Sequence, residues 1–421
     1  MEWTAECDPK ALAIMQYSMR YNTKGMLQIL SDTYHLDMAS ETMAKFAHVL
    51  QDAKHITERM QDAPKISIEN FIGYISVPVG LAGPLLIKSP DGTSTPIYAP
   101  IATTEAAIIA SCSRGCKALN ESGGGQFHVL SEAMSRSPVF RFNCTQEAID
   151  FARRVPDLWD PIIKAAELTS RHARLVKLTP NIVGSNVHVR FDYTCGDAAG
   201  QNMVTIATQR ACDWLLASLQ DLGLNIRGIV IEGNMAPDKK PSWGTVSSPR
   251  GVEAVAWTSL SDTVCRAVLK CSAESIYHMF RTTQEGGIRN GQFGSNINVA
   301  NIITGIFIAT GQDVAAVAEG PWGHLTPEYD HESRQLKLTL YFPSLPVGTV
   351  GGGTAYETQR EALGILGCAG SGMKSRLAGL IAVFSLALEV STAAAAANNT
   401  FSKSHELLAR GKKENGKASK I

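Results

Sequence analysis

The chain has 421 residues, 44% hydrophobic and 19% charged, with a formal net charge of +0. That length allows a sizeable core and two to three domains, and the charge balance excludes a nucleic-acid or acidic-membrane footprint. Nine cysteines, without a CxxC pair or zinc-type spacing, point to free thiols in a reducing compartment and to no metal site.

Met1-Glu2-Trp3 lacks the basic and apolar regions of a signal peptide. Residues 1–68 read as a helical N-terminal segment, with Met43, Phe46, Val49, Leu50 and Ala53 at helical spacing as a docking stripe. Glu69–Tyr74 and Val77–Leu85 mix glycine and proline into an apolar run, which describes a closely packed strand and loop.

A distinct unit follows. Val139, Phe140 and Phe142 begin a strand, and helical stretches near 146–154 and 159–169 come next. A strand at 175–178 precedes Val187, Val189, Phe191 and Tyr193, whose alternation with His188, Arg190 and Asp192 predicts a half-exposed strand. A helix over 202–222 leads to a buried strand over Ile226–Ile231. This order is that of a ferredoxin-like split unit. The predicted class is therefore α+β: a large mixed domain over 69–141 and 232–421, interrupted by a small ferredoxin-like domain over 142–231. The second half adds an apolar segment over 301–310, a strand over 336–341 and an alanine-rich stretch over 377–397. The most membrane-like run, Leu377–Leu388, is ended by Glu389 well short of a span, so a soluble, cytoplasmic protein is expected.

Chemistry concentrates at a few places. Asp238-Lys239-Lys240-Pro241 puts two ammonium groups where the chain leaves an apolar run, and a lysine in a partly dry pocket can stabilise a developing oxyanion. On its own the tetrapeptide also fits a pair of solvated surface lysines. Thr103-Thr104-Glu105 sets a carboxyl before an apolar run, either as a helix-start residue or, if buried, as a general acid. Gly311-Gln312-Asp313 ends an apolar run with a carboxylate, and Ser404-His405 follows the alanine-rich stretch. Neither GxGxxG nor GxxxxGK[ST] occurs.

Taken in order, Glu69–Leu85, Thr103–Glu105, Ser113–Cys116, Gly196–Asn202, Asp238–Pro241, Ile306–Asp313, Gly348–Thr354 and Lys403–His405 resemble the catalytic portion of the HMG-CoA reductase family. The resemblance implies reduction of an acyl-CoA thioester to an alcohol with two NADPH, most simply HMG-CoA to mevalonate and CoA. It makes Lys239 the oxyanion holder, Glu105 the proton donor and Asp313 the group that orients the lysine. His405 would protonate the departing thiolate, because an imidazole near 6.5 can serve a thiol near 8.5. Arg171, Asp197, Gly200, Gln201 and Asn202 would hold NADPH, with Arg171 near its 2′-phosphate. Arg114 would meet CoA phosphate, and Arg141, Glu232, Lys240 and Asn301 would line the acyl end. The resemblance further implies a homodimer or dimer of dimers, in which the Lys239 loop of one subunit meets Glu105, Asp313 and His405 of a neighbour.

Five departures from the family pattern stand out. Glu232 replaces a serine that contacts the substrate carboxylate, Asn298 a histidine, and Gln201 a methionine. An upstream lysine is missing, with Arg281 or Arg289 as stand-ins, and Val317–Gly323 replaces a serine- and asparagine-rich loop. They leave two alternatives open, the same chemistry on another acyl thioester and a thioester-binding protein without turnover. The terminal Ser419-Lys420-Ile421 resembles a peroxisomal signal with isoleucine for leucine, an alternative to a cytoplasmic location.

Overall fold

The structure, a computed structural model, describes residues 45, 47–59, 62, 65–88 and 94–401. His405, Met43, Phe46 and the tail at Ser419–Ile421 lie outside the described residues. The chain divides into two units, Met1–Val77 and Pro78–Ile421. In the first, residues 47–52 form turns, and the described helix is a single turn, Lys54–Thr57. Residues 47–52 are therefore not helical as expected, and Val49 is 65% exposed. Tyr74 closes this unit on that turn, donating its N–H to Ile56 O at 3.1 Å.

In the second unit, β1 (Val79–Lys88) and β2 (Ser94–Ala102) form an antiparallel pair, followed by α1 (Ile108–Glu121), β3 (Gln126–Arg136) and β4 (Val139–Arg141). Next come α2 (Thr145–Arg154), α3 (Trp159–Glu167), β5 (Arg174–Val183), β6 (Asn186–Thr194), α4 (Gln201–Ala217) and β7 (Gly228–Val230). The remainder holds β8 (Gly251–Ser261), α5 (Ala273–Asn290), α6 (Val299–Thr310), β9 (His324–Asp330), β10 (Gln335–Leu345), α7 (Glu357–Ile365) and α8 (Lys374–Ala397).

One antiparallel sheet joins eight of these strands in the order β7-β4-β6-β3-β8-β10-β9, with β5 on the other side of β6. β3 is shared along its length. Gln126–Ala133 pairs with β8, whereas Met134–Arg136 pairs with β6, so the sheet changes partners just before Ser137-Pro138. Two hydrophobic clusters match this division. One gathers buried residues of β1, β2, α1, β8, α5, α6, β10 and α8. The other gathers Phe140, Phe151, Ile162, Phe191, Tyr193, Val204 and Leu215 with their neighbours.

α8 is the axle of the first cluster. It is long and apolar enough to cross a membrane by composition, yet it is a core helix with 89% of its most apolar window buried. Its crossing with α1 is closed to backbone contact, because a Cβ on Gly115 would stand 1.8 Å from Ala387 O. Only glycine permits that approach.

Three expectations change. Ile226–Ile231 is not a buried strand: the strand is only Gly228–Val230, lies at the sheet edge and leaves Val230 47% exposed. The predicted helix over 202–222 breaks at Ser218 into α4 and a separate turn, Leu219–Leu222. The polar face of β6 is covered, with Arg190 and Asp192 buried. Arg190 Nε donates to Asp192 at 2.7 Å, and its Nη2 donates to Ser248 O and Pro249 O at 2.9 Å, so an ion pair under a loop replaces the expected solvent.

Candidate functional site

The Asp238–Pro241 loop leaves β7 as expected, but its shape is set by side chains that the sequence did not single out. Lys239 has φ +58°, left-handed backbone that is uncommon for a side-chain-bearing residue. Its Nζ lies 2.9 Å from Asp313 Oδ2, and both side chains are partly exposed. The pair forms within one chain, where the resemblance implied a contact between subunits. Asp313 follows α6 directly. Its other oxygen accepts Ala315 N–H at 3.1 Å, capping the 3₁₀ turn Val314–Ala318.

Behind Lys239 runs a buried chain of ions. Glu319 Oε1 accepts the Lys239 N–H at 2.8 Å. Arg250 Nη1 donates to both oxygens of Glu319 at 2.6 and 2.7 Å, and its Nη2 donates to Asp238 Oδ1 at 2.7 Å. Arg136 Nη1 donates to Asp238 Oδ2 at 3.1 Å and to Glu232 Oε2 at 3.3 Å, while Nη2 reaches Gln201 O at 3.4 Å. Burial pushes the Glu319 carboxyl up, with the Arg250 guanidinium and the Lys239 N–H pulling the other way. Both oxygens are held by the one nitrogen, Nη1, of Arg250.

Glu232 is therefore not a bare charge: Arg136 neutralises it and Asn234 N–H donates to its Oε1 at 2.7 Å. Arg141 has other company. Its guanidinium lies beside Gly228 in the β4–β7 pair, and it is Arg136 that faces the loop. Lys240 Nζ turns back to Asp238 O at 3.0 Å. Arg281 is exposed and donates to Gln284 at 3.2 Å, and Arg289 is likewise exposed at the end of α5.

The glycine loop after β10 ties this region to a second one. Gln312 clamps Gly348 from both sides, accepting its N–H at 2.8 Å and donating to its O at 2.9 Å. A Cβ on Gly348 would stand 2.4 Å from Ala199 N, so the loop lies directly on Asp197–Gly200. Asp197 O accepts Thr349 N–H at 2.8 Å, and its carboxylate accepts Gly372 N–H at 2.8 Å and Lys374 N–H at 3.3 Å. Gly200, at φ +91°, is the left-handed N-cap of α4 and turns the backbone of Gln201 and Asn202 into the first helical turn. Gln201 Nε2 is buried there without a partner among the described residues. Arg171 is exposed and leans on His172, whose Nδ1 faces Gly196. A helix N-terminus capped by glycine, with an orphaned buried donor and an arginine nearby, fits a phosphate-bearing dinucleotide.

Glu105 lies elsewhere on the surface of the first core. It is exposed, and with Arg114, Asn298, Thr392 and Phe401 it lines a cavity of about 240 Å³ that neither Lys239 nor Asp313 borders. It is not a helix-start residue: α1 begins at Ile108 after left-handed Ala107. Arg114 is held by Ser391, donating to its Oγ at 2.9 Å and to its O at 2.7 Å. Asn298 Nδ2 donates to Thr392 Oγ1 at 2.9 Å, and Asn301 stands in the first turn of α6. Beneath them Glu389, fully buried, accepts Ile297 N–H at 2.7 Å and Asn298 N–H at 2.6 Å. Among the described residues no cluster of three or more metal-ligating side chains occurs.

A family profile for hydroxymethylglutaryl-coenzyme A reductase matches residues 35–410, which takes in both loops, the glycine seam and α8. The chain belongs to the hydroxymethylglutaryl-coenzyme A reductase family. Relatives of that name include one from Methanocaldococcus jannaschii, 37% identical over 380 residues, 89% of this chain and 93% of the relative. Another, from Aeropyrum pernix, is 39% identical over 352 residues, 82% of each chain. Among solved structures, the class II 3-hydroxy-3-methylglutaryl-CoA reductase from Streptococcus pneumoniae bound to NADPH in open conformations aligns with a TM-score of 0.62 and 19% identity. It covers 82% of this chain and 95% of that one, a likeness of fold. The mixed helix and sheet architecture of this reductase family is thus the one observed.

Sequence reasoning missed Arg136 and Arg250, and marked Glu319 only as part of the Val317–Gly323 departure. Arg136 ends a strand directly before Ser137-Pro138, and Arg250 precedes the alternating buried run Val252, Ala254, Ala256. A charge at the mouth of a buried strand is the signal that was available.

Proposed function

We propose that this family member reduces HMG-CoA to mevalonate and CoA, consuming two NADPH and two protons. The observation that carries the reading is the Lys239–Asp313 pair at 2.9 Å on a loop fixed by buried ions. NADPH supplies the hydride in each of the two steps. Lys239 holds the carbonyl oxygen as it gains charge, and Asp313 pairs with the ammonium and aims it. Glu105 delivers a proton to that oxygen and His405 one to the leaving thiolate. Arg136, in the place first given to Arg141, orients the acyl end with Glu232, Lys240 and Asn301, and Arg114 receives CoA phosphate. Gly200, Gln201, Asn202, Asp197 and Arg171 hold the dinucleotide.

The small domain is best taken as a ferredoxin-like insertion. Supporting this are the element order β4-α2/α3-β5-β6-α4-β7, the strand order β7-β4-β6-β5 and a separate hydrophobic cluster. Its first strand is β4, so the insertion starts at Val139 rather than at residue 142. The enzyme works in the cytoplasm as a twofold assembly. Because Lys239 meets Asp313 within the chain, Glu105 and His405 are the residues a neighbour would contribute.

Lys239→Ala tests the reading. NADPH oxidation with HMG-CoA should fall by on the order of 10²–10³-fold, the cost of a lost oxyanion donor. Turnover like that of the wild type would sink it. A second reading, the same chemistry on another acyl thioester, is favoured by Glu232, whose carboxylate already occupies Arg136.

A further inference from the structure

Lys239 has a backbone that a side-chain-bearing residue adopts only when its surroundings over-determine it. The buried ions behind it do so from both sides of one peptide. Glu319 takes the Lys239 N–H, and Arg250 joins that carboxylate to the Asp238 carboxylate on the preceding residue. Arg250 and Glu319 side chains are both 0% exposed, so neither meets bulk solvent. The 3₁₀ turn Val314–Ala318 adds a geometric link: Asp313 caps its start and Glu319 closes its end. One short turn thus presents a partner to the ammonium of Lys239 and another to its main chain.

We infer that Arg250 and Glu319 are positioning residues for the reaction, holding Lys239 left-handed so that its ammonium is delivered to Asp313 and the reacting carbonyl. This rests on the reading of Lys239 as the oxyanion donor. Neither side chain touches the reacting atoms. Their effect runs through the lysine, so it belongs to turnover and not to substrate affinity. A buried pair that only stabilised the fold would behave differently, since replacing both ions by apolar groups of similar size is often neutral or stabilising.

The test compares Arg250→Met/Glu319→Met, Glu319→Gln and Lys239→Ala in the full chain. For the double variant, kcat with HMG-CoA should fall on the order of 10–100-fold, as a misplaced group does, with KM within about threefold and an unchanged or higher melting temperature. In protein labelled with ¹⁵N-lysine, the amide proton of Lys239 should lie downfield in the wild type, because it is bonded to a carboxylate, and should move upfield in the double variant. Wild-type kcat in a folded double variant, or an unmoved amide, overturns the inference. If the double variant does not fold, Glu319→Gln decides by the same two readouts. Its carboxamide cannot accept both Arg250 contacts, so full kcat with a displaced amide again overturns the inference. Should Lys239→Ala itself retain turnover, the reading of Lys239 fails, while the amide resonance still reports separately whether the ions hold its backbone.

Discussion

Glu389 lies in the middle of α8 with no exposure, and its carboxylate anchors the entry to α6 through two backbone N–H groups. Burial raises its pKa from an ordinary 4.5 to about 7, against the downward pull of those two donors. At about 1.4 kcal/mol per pH unit, that gap is worth on the order of 3 kcal/mol. A raised folded-state pKa means that the stability contribution is complete below 4.5, where both folded and unfolded chains carry the proton. Between 4.5 and about 7 the unfolded chain ionises while the folded one does not, so stability declines as pH rises, and above 7 the loss is complete. Glu389→Gln removes the titration and keeps one acceptor. Urea unfolding of wild type and variant, measured from pH 4.5 to 8, isolates this group because the other carboxylates cancel in the difference. The wild type should lose ground to the variant by on the order of 3 kcal/mol across that window and no further above it. Parallel stability curves would refute the reasoning and return Glu389 to an ordinary carboxylate.

Two further outcomes concern the site. Gly348→Ala places a methyl 2.4 Å from Ala199 N, which must recede by about 1 Å. Overpacking of this kind should cost about 1–3 kcal/mol, and KM for NADPH should rise more than KM for HMG-CoA, as steady-state kinetics would show. Glu232→Ser frees Arg136 from its carboxylate, so activity with HMG-CoA should rise relative to other acyl-CoA thioesters; an unchanged ratio would remove Glu232 from specificity.

Much of this molecule was legible in its sequence because the signals were local. The small unit's helices and β6 follow from periodicity, and α8 from its unbroken apolar run. Lys239 and Asp313 were marked by polar residues ending apolar segments. What escaped was long-range pairing. Nothing near Arg250 announces that it meets Glu319, 69 positions on. Arg190 and Asp192 looked solvent-facing because the loop at Ser248-Pro249 that covers them is distant in sequence. Arg141 came from the family resemblance and Arg136 was not considered, because only the partner change within β3 brings the end of that strand to the loop. Residues 226–231 are apolar enough for a central strand, yet β7 has a partner on one side only.

The β3 strand, paired with β8 along most of its length and with β6 at its end, has a consequence for anyone building chimaeras from this family. The stretch from Val139 to Val230 looks like a cassette, but it has no clean seam. Its sheet continues through Met134–Arg136 of the host strand, and Gly233, just past its far end, donates its N–H back to Ser137 O at 2.8 Å. Cutting at Ser137-Pro138 would keep Arg136 in the host and set it against the donor's Phe191 and Gln201. A transplant that keeps this junction must carry the end of β3 with it, so the exchangeable module is larger than its hydrophobic cluster.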